Sequence, residues 1–204
     1  MYLQAQFGHI DIYLFDQLLR GRIRPGARVL DAGCGGGRNL VYLLREGFDV
    51  HAVDEDPQAI VYVREMAAAL APGLQPEQIR LDAVERMSFP DDWFDVVISN
   101  AVLHFARDDK QFDAMVHEMW RVLKPGGMLF ARLASSIGMT EPMEHLGGRH
   151  YVLPDGTTRY VVDEPILMEL TRSLGGELLD PLKTTVVQHQ RCMTTWVVGK
   201  RSQA

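Results

Sequence analysis

The sequence predicts an α/β fold in which a mostly parallel sheet lies between two layers of helices. Apolar, strand-like runs alternate with helix-like segments along most of the chain, and this order favours parallel strands joined by crossover helices. The predicted strands of this core are 29–31, 48–53, 79–81, 94–100 and 128–131. The predicted helices are 38–46, 57–70, 108–123 and 164–174.

The two ends of the chain add different elements to this core. Residues 8–20 place apolar side chains on one helical face, which predicts an amphipathic helix covering the sheet or a ligand. Residues 177–188 and 191–199 alternate apolar and polar side chains around a short link, which predicts an antiparallel hairpin. A chain of 204 residues with 47% hydrophobic content can bury one sizeable core, so we expect a single domain, 1–204.

A glycine-rich loop follows the first strand, where segment 29–39 runs Val-Leu-Asp-Ala-Gly-Cys-Gly-Gly-Gly-Arg-Asn. A strand that turns tightly into a helix leaves bare backbone where a nucleotide-type cofactor can approach. A dinucleotide site uses Gly-x-Gly-x-x-Gly, but the sixth position counted from Gly33 is Arg38. The spacing that does fit is acid-x-Gly-x-Gly-x-Gly, from Asp31 through Gly37.

Later segments agree with this loop in order and spacing. Asp54 ends the second strand, roughly 20 residues after the loop, where an acid can bind the ribose hydroxyls of an adenosine. Asp82 and Asn100 follow the third and fourth strands, and 121–127 reads as a helix end with a Pro-Gly-Gly turn. Over about residues 28–134 the chain resembles the class I S-adenosylmethionine-dependent methyltransferases.

This resemblance implies a three-layer Rossmann-like fold, with a mostly parallel seven-stranded sheet and a C-terminal antiparallel hairpin. It implies S-adenosylmethionine as cofactor, with S-adenosylhomocysteine as product, bound outside the carboxyl ends of the strands. The cofactor-binding residues that it implies are Asp31, Gly33, Cys34, Gly35, Gly37, Arg38, Asp54, Glu55, Asp82, Ala83, Asn100 and Ala101. Asp31 either braces the loop amides or contacts the ligand, and Arg38 meets either the cofactor carboxylate or an anionic substrate.

Methyl transfer from a sulfonium needs little side-chain chemistry, since it is an in-line displacement governed by positioning and exclusion of water. A general base is needed only when the nucleophile carries a proton of high pKa. His104, four residues beyond Asn100, is the candidate for that base. A histidine at this place can also serve only to pack or to bond to backbone.

The methyl acceptor is expected to bind near residues 135–162, an insertion that leaves from the ligand edge and is placed to act as a lid. Basic side chains near it could bind a small anion through charge-assisted bonds. The candidates are Arg132, Arg149, His150, Arg159 and Arg191, of which we expect one or two in the pocket, Arg149 and Arg191 first, with His150 as a further substrate contact. The loop ending and the lid also loosely resemble the tellurite-resistance and thiopurine-type methyltransferases, which favours a small anionic or soft-nucleophile acceptor.

Composition excludes several other classes of protein. A net charge of −6 gives no basic footprint for nucleic acid, and the two cysteines form no metal-binding pattern. Without a signal-like N-terminus or an apolar run of about 18 residues, a cytoplasmic protein with no membrane contact is expected. Two alternatives stay open, namely a nicotinamide-dependent oxidoreductase and a cofactor-binding subunit that acts through a protein partner.

Overall fold

The computed structural model describes residues 2–202 and has the expected α/β architecture. The strands are β1 (Arg28–Ala32), β2 (Asp49–Asp54), β3 (Ile79–Leu81), β4 (Phe94–Asn100), β5 (Leu123–Ala134), β6 (Glu144–Gly147), β7 (His150–Val152), β8 (Thr158–Tyr160), β9 (Gly176–Leu178), β10 (Lys183–Val187) and β11 (Arg191–Lys200). The helices are α1 (Leu3–Phe7), α2 (Ile12–Leu19), α3 (Leu40–Arg45), α4 (Pro57–Leu70), α5 (Asp109–Val122) and α6 (Glu164–Ser173).

The main sheet has the strand order β10-β11-β5-β4-β1-β2-β3, and β9 pairs with β11. Strands β1 to β5 pair in parallel, whereas β11 is antiparallel to β5, β9 and β10. The predicted parallel sheet with a terminal antiparallel hairpin is therefore confirmed, with β9 as an eighth strand.

Helices cover both faces of this sheet. Successive residues of a strand point to opposite faces of the sheet. Leu30 therefore packs in the core under α5 and α6, whereas Val29 packs in the core under α2, α3 and α4. Because the inner strands are buried on both faces, their sequences are almost continuously apolar. This sandwich fixes the carboxyl ends of β1, β2 and β4 at one edge.

Two of the predicted elements were drawn too long. The predicted strand 177–188 is divided into β9 and β10, because Asp180 turns inward and accepts hydrogen bonds from Gln17 (3.0 Å) and Arg22 (2.7 Å). The predicted helix 8–20 is only α2, because Gly8, with a positive φ of 61°, ends the preceding α1 and Asp11 caps the start of α2.

The link 83–93 crosses from β3 to β4 through turns and an isolated bridge. Helix α5 ends at Val122, three residues before Pro125, and buries Phe112, Met115, Val116, Met119 and Val122. No helix among residues 2–202 has the length and the apolar composition that crossing a membrane requires.

The insertion 135–162 forms its own three-stranded antiparallel sheet, β6-β7-β8. Strands β7 and β8 form a hairpin around a Pro-Asp-Gly turn, with Tyr151 paired to Arg159. The insertion leaves and returns at one place, because Ser135 bridges Val162 at the end of β5. It is thus a closed excursion from the carboxyl edge of the sheet.

Candidate active site

The glycine loop turns sharply out of β1 and is held by the end of β2. The amides of Gly33 and Cys34 both donate to the carbonyl of Val53 at 2.9 Å. Gly33 has φ +81°, and a Cβ there would lie 2.6 Å from the side chain of Val102. At Gly35, in contrast, a Cβ would meet nothing within 4 Å. Gly33 is required by close packing, whereas Gly35 borders open space.

That open space is a cavity of about 290 Å³, which we call the glycine-loop cavity. It is lined by Gly33, Gly35, Asp54, Glu55, Val84, Glu85, Ala101, Val102, Phe105, Gln111 and Met115. Three of these side chains are acidic, namely Asp54, Glu55 and Glu85, and none is basic. Its volume is close to the lower end of typical ligand cavities, roughly 300 Å³.

Asp54 is fixed at the mouth of this cavity by its own hydrogen bonds. One carboxylate oxygen accepts from the amide of Gly35 at 2.8 Å, and the other accepts from the amide of Asp56 at 3.0 Å. A carboxylate oxygen has more than one lone pair, so both can accept further bonds from a ligand. Asp54 therefore joins the glycine loop, the start of α4 and the cavity.

A second cavity of about 320 Å³ adjoins the first, and we call it the arginine cavity. It is lined by Ala101, His104, Phe105, Arg132, Ala134, Leu153, Asp155, Thr157, Arg159, Val187, Arg191, Cys192 and Met193. Ala101 and Phe105 line both cavities. Three arginines stand against a single acid, so the arginine cavity carries an excess of positive charge.

The two cavities therefore have opposite electrostatic character. Acidic walls attract a cationic ligand and repel a dinucleotide, whose pyrophosphate is negatively charged. S-adenosylmethionine carries a sulfonium and an ammonium against one carboxylate, so it suits the glycine-loop cavity. Two observations disfavour the nicotinamide-dependent oxidoreductase. One is the negative charge of the cavity, and the other is Arg38 at the position where the dinucleotide motif has its last glycine.

Comparison with known proteins agrees with this geometry. A family model described as a methyltransferase domain matches residues 29–127, from β1 to the turn before the buried part of β5. Residues 29–127 of the chain thus match a methyltransferase domain. The cofactor of such a domain is S-adenosylmethionine.

Individual relatives support the methyltransferase domain. The chain is 34% identical over 139 residues to a ubiquinone biosynthesis O-methyltransferase of Xylella fastidiosa, covering 66% of this chain and 54% of that protein. The chain spans about half the length of the curated relatives that it matches.

Solved structures share the fold at low sequence identity. The Burkholderia thailandensis 1,6-didemethyltoxoflavin-N1-methyltransferase, solved with that compound and S-adenosylhomocysteine, has a TM-score of 0.65 at 21% identity, covering 98% of this chain and 85% of its own. The [4+2]-cyclase SpnF has a TM-score of 0.72 at 18% identity, covering 94% and 82%. The fold alone thus does not decide the reaction.

Five of the predicted cofactor residues line the glycine-loop cavity, namely Gly33, Gly35, Asp54, Glu55 and Ala101. The others lie outside its lining, namely Asp31, Cys34, Gly37, Arg38, Asp82, Ala83 and Asn100. Asp82 is occupied within its own loop, because it accepts bonds from the amide and hydroxyl of Ser88 at 2.9 and 2.6 Å. The next residues of that loop, Val84 and Glu85, line the cavity in its place.

Asp31 does not brace the loop amides. The carbonyl of Val53 and the carboxylate of Asp54 bind those amides, while one Asp31 oxygen is buried without a partner among residues 2–202. Burial raises the pKa of Asp31 to about 7, against the opposing charge of Arg38 and with added repulsion from Asp54. Burial likewise raises the pKa of the Cys34 thiol.

Asp11, which the sequence did not single out, pairs with Arg38 beside the glycine loop and with Arg132 in the wall of the arginine cavity. Its carboxylate lies 3.1 Å from a guanidinium nitrogen of Arg38 and 3.4 Å from one of Arg132. Its amide donates to Asn39 at 3.1 Å, and Asn39 also accepts from Asn100 at 3.5 Å. Arg38 is thereby held by the N-terminal segment, and Asn39 makes no capping bond to α3.

The predicted acceptor residues divide between two places. Arg132, Arg159 and Arg191 line the arginine cavity. Arg149 instead pairs with Asp163 at 3.3 Å, and His150 is within 2.9 Å of the carbonyl oxygen of Ala106, beside a separate surface depression. The prediction that Arg149 lines the acceptor pocket ahead of Arg132 and Arg159 was therefore wrong. Strand β8 carries Arg159 to the cavity, whereas Arg149 lies outside it.

Among residues 2–202, no three His, Cys, Asp or Glu side chains converge as metal ligands.

His104 is buried in the wall of the arginine cavity, and its Nδ1 accepts from the amide of Ala134 at 3.3 Å. A neutral ring that accepts at Nδ1 carries its proton on Nε2, so it can donate a hydrogen bond there. Burial, together with the charges of Arg159 and Arg132, lowers the pKa of His104 to about 4. This geometry supports a neutral donor rather than the general base that the sequence suggested.

His104 should make the fold sensitive to mild acid. The unfolded chain takes up its proton near pH 6.5, whereas the folded chain does so near pH 4. Stability is therefore intact above pH 6.5, falls as the pH drops from 6.5 to 4, and levels off below 4. At pH 5 the expected loss is about 2 kcal/mol. Urea unfolding of wild type and His104→Gln at pH 7.5 and pH 5 measures it, with exposed His117→Gln as control. Equal pH dependence in wild type and His104→Gln would contradict the assignment.

Proposed function

We propose that this chain transfers the methyl group of S-adenosylmethionine to a small anionic or soft-nucleophile acceptor. The observation that carries this proposal is the pairing of an acid-lined cavity with an adjoining arginine-lined one, with Ala101 and Phe105 common to both walls. A cationic methyl donor and an anionic acceptor would each enter the cavity of opposite charge.

In this proposal the glycine-loop cavity holds the cofactor. Asp54 accepts hydrogen bonds from the ribose hydroxyls, with its carboxylate already oriented by the amides of Gly35 and Asp56. The open face of Gly35 lets the ligand approach the backbone. The bound cofactor supplies a methyl group on a sulfonium, which is a good leaving group.

The arginine cavity positions the acceptor. The acceptor's lone pair forms the new bond to the methyl carbon while the carbon–sulfur bond breaks and its electrons stay on sulfur. A thiolate or carboxylate-type nucleophile has no proton to lose, so no general base is required. His104 then serves as a hydrogen-bond donor that orients the acceptor, and the insertion 135–162 acts as the lid that excludes water.

The test is turnover by the isolated chain, measured as S-adenosylhomocysteine released with a panel of small carboxylates, phenols and thiols. We expect turnover with at least one anionic or thiol acceptor. Arg159→Gln should raise the acceptor KM by about 10-fold, since a charge-assisted bond contributes roughly 1.5–3 kcal/mol. Arg172→Gln is the matched control, because Arg172 is exposed on α6 and pairs with Glu169.

Two outcomes would overturn the proposal. If the chain methylated a protein or RNA and none of the small acceptors, the assignment of a small-molecule acceptor would be wrong. Turnover that appears only after a protein partner is added would favour the cofactor-binding subunit instead.

A further inference from the structure

The arginine cavity has an apolar wall as well as a cationic one. Phe105 is 62% exposed, which is unusual for a phenylalanine in the wall of a cavity. Leu153, Val187 and Met193 add aliphatic and thioether surface to the same cavity. A fully polar anion would leave this surface wet, so the wall indicates a ligand with an apolar body.

The ring of Phe105 packs against a guanidinium group. The guanidinium carbon of Arg159 lies 4.9 Å from the ring centroid, in cation–π geometry. A planar aromatic ring can pack against the same phenylalanine and the edge of that guanidinium. A flat ring therefore uses both groups, whereas an aliphatic chain uses only the apolar surface.

The rim of the cavity is formed by two hairpin turns that carry opposite charges. Asp155, in the β7–β8 turn, lies 4.0 Å from Arg191, which follows the β10–β11 turn. The other Asp155 oxygen accepts from the amide and the hydroxyl of Thr157 at 3.0 and 2.6 Å. Only a long, partly exposed contact thus connects Asp155 to Arg191, and an external carboxylate can replace it.

Building on the proposed function, we infer that the acceptor is a small aromatic carboxylate. Its ring lies against Phe105, and its carboxylate binds Arg191 in the position that Asp155 now faces. Asp155 then competes with the ligand carboxylate for Arg191, which lowers the affinity of the cavity for every anion. The contact between the ligand ring and Phe105 therefore determines which anion binds.

Calorimetric titration of the S-adenosylhomocysteine complex with three probes tests this inference. Benzoate offers both ring and carboxylate, benzyl alcohol only the ring, and acetate only the carboxylate. We expect benzoate to bind at least about 10-fold more tightly than either of the others. Arg191→Gln should weaken benzoate by about 10-fold, whereas Arg172→Gln should leave it unchanged.

Asp155→Asn is the sharpest variant, because asparagine keeps an acceptor for Thr157 but loses the charge that faces Arg191. Benzoate should bind about 3- to 10-fold more tightly to it than to wild type. Unchanged or weaker benzoate binding to Asp155→Asn, or equal binding of benzyl alcohol and benzoate to wild type, would overturn the inference. Unaltered affinity for S-adenosylhomocysteine verifies that each variant is folded.

The same data separate this inference from the proposed function. Tight benzoate binding without any methyl transfer would reject the proposed function and leave the aromatic-carboxylate specificity standing. Methyl transfer to an amine or alkyl thiol, with benzoate unbound, would reject the specificity and leave the proposed function standing.

Discussion

Asp54→Ala should weaken binding of S-adenosylmethionine and S-adenosylhomocysteine by at least about 100-fold. The variant removes the carboxylate proposed to accept two ribose hydroxyls, and each such charge-assisted bond contributes roughly 1.5–3 kcal/mol. It also releases the amide of Gly35, so the glycine loop loses the contact that orients it. Calorimetric titration with S-adenosylhomocysteine measures the effect.

The neighbouring Asp56 provides a matched control. Asp56 caps α4 by accepting from the amide of Gln58 at 2.9 Å and does not line the glycine-loop cavity. Asp56→Ala should therefore cost about 1 kcal/mol of stability and leave cofactor affinity unchanged. If Asp54→Ala and Asp56→Ala lowered affinity equally, loop disturbance and not a ribose contact would explain the loss.

Asp11→Ala should give the largest loss of stability, about 3–5 kcal/mol. The Asp11 side chain is 5% exposed and the Arg132 side chain 18% exposed, so removing the carboxylate leaves a largely buried guanidinium without its counterion. The cap of α2 is lost at the same time, since Asp11 accepts from the amide of Tyr13 at 2.9 Å. Urea unfolding at pH 7.5 measures the free energy of unfolding.

Asp16, on the same helix, provides the control. The variant Asp16→Ala tests whether the loss of any carboxylate from this helix lowers stability as much as the loss of Asp11. The Asp16 carboxylate is 33% exposed and pairs with Arg20 and Lys183, so Asp16→Ala should cost less than about 1 kcal/mol. Asp11→Asn should fall between the two alanine variants because it keeps a capping oxygen. Similar losses in Asp11→Ala and Asp16→Ala would contradict the role given to Asp11.

The parts of the site that the sequence predicted are those set by local geometry. The glycine loop, the acid at Asp54 and helix α5 each depend on residues close together in the chain, so periodicity and spacing were sufficient to find them. The carboxyl-edge placement of Gly33, Asp54 and Ala101 followed from the parallel sheet alone.

The parts that the sequence missed depend on contacts between distant segments. Nothing near Asp11 indicates that it will meet Arg132, because that pairing requires α2 to lie across β5. The sequence could not decide among the arginines for the same reason. Arg149 lies in the β6–β7 turn and Arg159 on β8 of one small sheet, and the docking of that sheet decides which of them faces the cavity. Glu85 and Phe105 lie in the short segments after β3 and β4. In such segments the path of the loop decides which side chain points into the cavity.

The most direct test of the account is calorimetric titration of the wild-type chain with S-adenosylmethionine, S-adenosylhomocysteine and NAD. The acid-lined glycine-loop cavity predicts one molecule of either adenosyl ligand bound per chain, with micromolar affinity, and no heat from NAD. Binding of NAD, or of none of the three, would contradict the assignment of this cavity and the proposed methyl transfer with it.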